Sequence, residues 1–301
     1  LMVYDLNRIS DDPSKGRNIA LPDGENFKSI ILHKVIVGGD PSDPEDCRSY
    51  PGSVVINLPK LKVHSNAMFT NAIKNLGIGL YPLQANRPNC KHWEYATPDT
   101  DIPAIKSRIP HQVWVPDVDP HTLIPKKNPN NIYKVEKTAG MTGTMIDIIR
   151  AAASQDVFMM HIVDAVESVN RDHQGIGLGV AVPEGLIVAG TDVVATDLFC
   201  ARYMFSNVGL DEARQVGLKD CFGGFFPQLV PVPEFDGNRV RTKQSYDCPL
   251  SRDYSILRAE DWGLGSSRYH VKGWDALSES PLASFKGRLG YIREEIFHDI
   301  Y

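Results

Sequence analysis

The chain has 301 residues, of which 42% are hydrophobic and 23% charged. That leaves room for one large domain or two small ones, and it excludes a disordered chain, a coiled coil and a collagen-like rod. The formal net charge of −5 has the wrong sign for a protein that wraps nucleic acid or an acidic membrane.

Residues 1–28 are polar and turn-rich. Ile30–Leu32 and Val35–Val37 predict extended chain that stops at Gly38-Gly39. Ser53–Leu58 is a short β-branched run, the pattern of a strand buried on both faces, and Pro59 closes it. Ser65 is placed to cap a helix on which Met68, Phe69, Ala72, Ile73 and Leu76 recur at helical spacing, with Gly77 to end it. Residues 81–131 hold nine prolines, a density that forbids regular helices and central strands. Trp93, Tyr95 and Trp114 make the same stretch too aromatic for a disordered linker, so it reads as a long, ordered, wrapping insertion.

Gly143-Thr144 leads into a helix carrying Met145, Ile148, Ile149 and Ala152. Val157–Val163 and Gly185–Gly190 predict two more buried strands, separated by a glycine-rich loop over 171–179. Thr191 or Asp192 caps a helix with Val194, Leu198, Phe199, Ala201 and Met204, and a short helix follows over 210–217. Apolar strands alternating with helices predict an α/β fold with a mostly parallel sheet flanked by helices. Its core is expected over 1–80 and 132–225, with the insertion at 81–131 and an irregular C-terminal extension at 226–301.

No apolar run approaches the roughly 18 residues of a membrane helix. The five cysteines are scattered and form no CxxC pair, so the chain holds no iron–sulfur or zinc-ribbon motif. Such cysteines read as reduced thiols and favour the cytoplasm; removal of an upstream signal would fit export instead.

Three constellations could carry chemistry. In the first, Asn57 is followed by Lys60, Lys62 and His64, which point one way if the chain is extended, with Lys74 and Asn75 on the next helix. Several cations beside a helix start suit a carboxylate or phosphate, although a solvated edge with surface lysines gives the same pattern. The second is Asp164, directly after an apolar run. The third is Thr191-Asp192 with Asp197, the last a carboxylate in an apolar stretch that needs a partner; the lysines of the first group are candidates. Each follows a predicted strand, so in a parallel sheet all three share one edge, where open α/β sheets bind ligands. The triplet Gly175, Gly177, Gly179 precedes a strand, the reverse of a dinucleotide fingerprint, and His161 reads as a core histidine.

The segments Val55–His64 and Ala72–Gly77 resemble the "iNvPKlKtH … lKNlfG" signature of the family called domain of unknown function 362. Ile162–Val166 is similar to its "ivDgi" segment, and Ala189–Asp197 to its "aGtDpvAvD" segment. The resemblance spans roughly 53–220 and implies relatives that are mostly bacterial or archaeal. Many of these carry a ferredoxin-type iron–sulfur module, and some are exported. It names no activity. Relatives usually have a further α/β portion before the lysine motif, whereas only 52 residues precede Ser53 here. A longer parent chain and a divergent variant both fit.

The leading expectation is an enzyme acting on a small anionic ligand. Asn57, Lys60, Lys62, Lys74, Asn75 and Thr191 would bind it. His64, Asp164, Asp192 and Asp197 would serve as acid/base groups or as oxygen ligands of a divalent cation. The alternative is a non-catalytic accessory subunit docking to an iron–sulfur or other metalloenzyme. Oligomeric state stays open.

Overall fold

The computed structural model describes residues 2–10, 12–64, 68–82, 114–116, 126–131, 135–137, 139–169, 181–204, 234–235, 240–241 and 255–272. In chain order the strands and helices begin with β1 (Gly16–Ala20), β2 (Ser29–His33), α1 (Lys34–Val37) and α2 (Pro44–Ser49). Then come β3 (Val54–Asn57), β4 (Lys60–His64), β5 (Met68–Thr70) and α3 (Ala72–Gly79). The next are β6 (Trp114–Pro116), β7 (Val135–Lys137), α4 (Gly140–Ala153) and β8 (Phe158–Val169). The last are β9 (Ala181–Val182), β10 (Leu186–Gly190), α5 (Val193–Met204), β11 (Glu234–Phe235), β12 (Val240–Arg241) and α6 (Ser255–Asp261). Ser65, the glycine-rich loop, the helix expected over 210–217, and most of 81–131 and 226–301 lie outside the described residues.

The chain divides into two compact units. The first comprises Leu1–Val55, Leu76–Phe158 and Gln228–Ser245. In it β1 and β2 pair antiparallel, from Gly16 opposite His33 to Ala20 opposite Ser29. Phe27, Ile30 and Leu32 are fully buried, as are Ile146, Ile148 and Ile149 of α4. Asp147 on the same helix accepts from the backbone N–H groups of Glu25 (2.9 Å), Asn26 (2.7 Å) and Phe27 (3.0 Å). Burial pushes this carboxyl up to about 6 against those three donors. Gly77 lies inside α3, because a Cβ there would stand 2.7 Å from that of Met145; close approach to α4, and not a helix stop, explains the glycine. Val35–Val37, expected to be extended, belongs to α1.

The second unit comprises Ile56–Asn75, Met159–Pro227 and Tyr246–Tyr301. Its sheet runs β10-β8-β4-β5, with β3 and β9 also paired to β8. The sheet is mixed, which corrects the expectation of mostly parallel strands. Only β4 is recorded as parallel to β8, and β5, β9 and β10 all pair antiparallel. β9 returns antiparallel against the end of β8, pairing with Ser168 and Val169. Met68–Thr70, expected to be helical, closes a hairpin on Lys62–His64, and the helix begins only at Ala72.

The strands are not buried on both faces. On β8 His161, Val163 and Ala165 are buried while Asp164 and Val166 are exposed; on β3 Asn57 is buried while Ile56 is 57% exposed. An apolar side chain on an open sheet face and one in a core look alike in sequence, since apolar atoms supply much of any protein's surface. Cys47 and Cys200 are free thiols, and the other three cysteines lie outside the described residues. Among the described residues no helix is long and apolar enough to cross a membrane.

Candidate functional site

Alternation along the strands sorts the expected site residues onto two sides of the second unit's sheet. The inner side is a buried polar cluster. Asn57, 4% exposed, donates from Nδ2 to the carbonyl of Ala72 (3.1 Å) and stands 3.2 Å from His161 Nδ1. Asn75 Nδ2 donates to Asn57 Oδ1 at 2.6 Å. With an amide N–H₂ against it, His161 Nδ1 accepts, so the ring proton is on Nε2. Burial lowers the His161 pKa to about 4, with the Asp192 carboxylate pulling the other way, so the ring is neutral at physiological pH.

Asp197 is 1% exposed and lies on α5. The lysines do not partner it. Its oxygens accept from the backbone N–H groups of Ala72 (2.8 Å) and Ile73 (3.0 Å), capping α3 from another helix. The first N–H groups of a helix have no partner within it, which is why a remote carboxylate can take them. Burial raises this carboxyl to about 7, and the two N–H donors resist the shift. One turn along α5, Cys200 is fully buried and its thiol is pushed up by burial and by Asp197. Asp192 caps α5: Oδ1 accepts from Ala195 N (2.8 Å) and Oδ2 from Ser266 N (2.8 Å). Thr191 beside it is exposed.

The outer side is different. Leu61 is fully buried, so Lys60 and Lys62 project from the opposite face of β4. Lys60 Nζ lies 3.0 Å from Asp164 Oδ2, and the two residues are register partners across β4 and β8. That lysine holds the Asp164 carboxyl below its ordinary value, against the small effect of burial. Asp164 is mid-strand on β8, not at a strand end. On its other flank it pairs with Ile187 of β10. The backbone of His64 continues the same strand, and its side chain lies outside the described residues. Lys74, half-buried, is on the first turn of α3.

The structure therefore brings Asn57, Asn75 and Asp197 together around the start of α3, and Lys60 together with Asp164 on the open face. It does not bring the two groups together, because a sheet lies between them. Sequence reasoning missed His161 as the anchor of Asn57; its period-2 match to Val163 and Ala165 placed it on the inner side. Among the described residues no three His, Cys, Asp or Glu side chains cluster as a metal site would require.

A mixed sheet with helices on its buried side and charged strand residues on its open side makes the second unit an α/β structure, and its geometry assigns no chemistry. The family described as "Domain of unknown function (DUF362)" matches residues 48–202, just over half of the chain, and the protein belongs to it. No curated protein and no solved structure matches the chain.

Proposed function

We propose that the chain binds a small anion, a carboxylate or phosphate, on the open face of the second unit's sheet, with Lys60 and Lys62 as its cationic contacts. The observation that carries this reading is the placement of both lysines on one face by the buried Leu61, with Lys60 steadied by Asp164 at 3.0 Å. His64 occupies the next position of that row. Asp164, ionised and half-exposed, is the group there able to act as a base or as an oxygen ligand for a divalent cation. Asp192 and Asp197 spend their oxygens on backbone N–H groups and hold helices in place. The test is calorimetric titration of the full chain with inorganic phosphate and with acetate, beside the double variant Lys60→Ala/Lys62→Ala. Binding that weakens at least tenfold in the variant supports the site. Absence of binding at millimolar ligand, or equal affinity in the two proteins, sinks it.

A further inference from the structure

The open face is not uniformly charged. Because Asn57 is buried against His161, its neighbours Ile56 and Leu58 point outward, and they are 57% and 65% exposed. Across β8, Ile187 is the register partner of Asp164 and is 63% exposed; Val166, two positions along β8 from Asp164, is 48% exposed. The Lys60–Asp164 pair thus has apolar side chains on both flanks, Ile56 on β3 with Leu58 just after it to one side, and Ile187 on β10 to the other. Neighbouring strands are about 4.8 Å apart, so the three strands give a patch about 10 Å across. A head group held by the ion pair would bring whatever it carries against these exposed apolar side chains, whose burial would favour an apolar body. Inorganic phosphate would engage the lysines and leave these side chains in water.

We infer that the anion taken at this face is carried on an apolar body, an acyl or aryl carboxylate or phosphate, whose head meets Lys60 and Lys62 while its body lies over Ile56, Leu58, Val166 and Ile187. This rests on the anion site proposed above and adds the class of molecule that carries the anion. The ligand is a soluble monomer. The charge at the centre of the patch fixes the head, and the apolar flanks fix the body.

The experiment compares inorganic phosphate with octyl phosphate, kept below its micelle concentration, by calorimetry on the full chain. Each methylene fully removed from water tightens binding about fourfold, and one side of the chain on the sheet captures part of that. Octyl phosphate should therefore bind at least tenfold more tightly than inorganic phosphate. In Leu58→Ser/Ile187→Ser, whose changed side chains are solvent-facing, that preference should fall below about threefold with inorganic phosphate affinity unchanged. An unchanged far-ultraviolet spectrum and melting temperature show that this variant is folded. Equal affinity for the two phosphates in the native chain overturns the inference and leaves the anion site standing. If neither phosphate binds, the anion site itself fails. Octyl phosphate binding that survives Lys60→Ala/Lys62→Ala is apolar adsorption and overturns the inference. So does binding confined to vesicles containing phosphatidic acid, which would make a lipid surface the partner.

Discussion

Asp197 offers the sharpest quantitative test of the inner cluster. Its carboxylate is 1% exposed, accepts from Ala72 N at 2.8 Å and from Ile73 N at 3.0 Å, and faces no lysine or arginine among its recorded partners. Asp197→Ala strands two buried N–H groups, each costing about 1–3 kcal/mol, so the variant should lose about 2–6 kcal/mol. That is a large share of the roughly 5–15 kcal/mol that holds most domains folded. The pH dependence is more diagnostic. In the unfolded chain this carboxyl titrates near 3.8, and in the fold near 7. Between those values the folded state holds the extra proton, so stability is greatest below the lower value and falls as pH rises through the upper one. A shift of about three pH units at about 1.4 kcal/mol each gives an effect of about 4 kcal/mol. Urea unfolding of the wild type and of Asp197→Asn, followed by far-ultraviolet circular dichroism at pH 4.5, 6.0 and 7.5, isolates it. Asparagine does not titrate, and every other titrating group is common to both proteins. Part of that effect is already spent at pH 4.5, so the wild type should lose about 3 kcal/mol relative to the variant across that range. A gap constant to within about 0.5 kcal/mol would refute the argument that burial, opposed only by two N–H donors, governs this group.

Asp147 in the first unit obeys the same rule over a narrower window. Its carboxyl is raised to about 6, so wild-type stability relative to Asp147→Asn should fall by about 2 kcal/mol between pH 4 and 6.5 in the same urea assay; a flat difference would refute this. His161, held to about 4 with its proton on Nε2, should show ring nitrogen shifts of a fixed neutral tautomer from pH 5.5 to 8, and a ring that titrates above pH 6 contradicts the buried contact with Asn57. At Gly265 an added Cβ would lie 2.1 Å from Asp192 Oδ1, so Gly265→Ala must displace the segment that donates Ser266 N to that carboxylate. A loss of about 1–3 kcal/mol in thermal or urea unfolding is expected, and an unchanged melt refutes the contact.

Much of the local chemistry was legible in the sequence, and its arrangement was not. Alternation alone placed Lys60 and Lys62 opposite Leu61, and Thr191-Asp192 before an apolar helical stretch marked where α5 is capped, with the structure choosing Asp192. Helical spacing failed at Met68–Thr70, because the same apolar residues also suit a hairpin strand, and pairing with Lys62–His64 decided between them. The parallel sheet failed for a related reason: uniformly apolar runs cannot show whether a strand's second face is covered, and the direction of β10 is set by its pairing with β8. Asp197 was recognisable as a carboxylate in need of a partner. That the partner would be two backbone N–H groups of another helix depends on packing, to which no spacing rule reaches.

The two sides of the sheet depend on each other through β3 and β4. Asn57 and Leu61 anchor this strand pair inward, the one by hydrogen bonds to Ala72, His161 and Asn75, the other by complete burial. Between them Pro59 offers no N–H, but its carbonyl accepts from Asp164 N at 2.8 Å, which fixes where the next residue meets β8. That residue is Lys60, and the same register sets its ammonium beside the Asp164 carboxylate. A one-residue slip would carry the lysines to the inner side and Leu61 to water, so holding the register is what keeps the charged face charged. If the proposed anion site exists, the buried cluster acts on it indirectly: loosening Asn57 should weaken anion binding through the position of Lys60, with Asn57 itself on the inner side of the sheet.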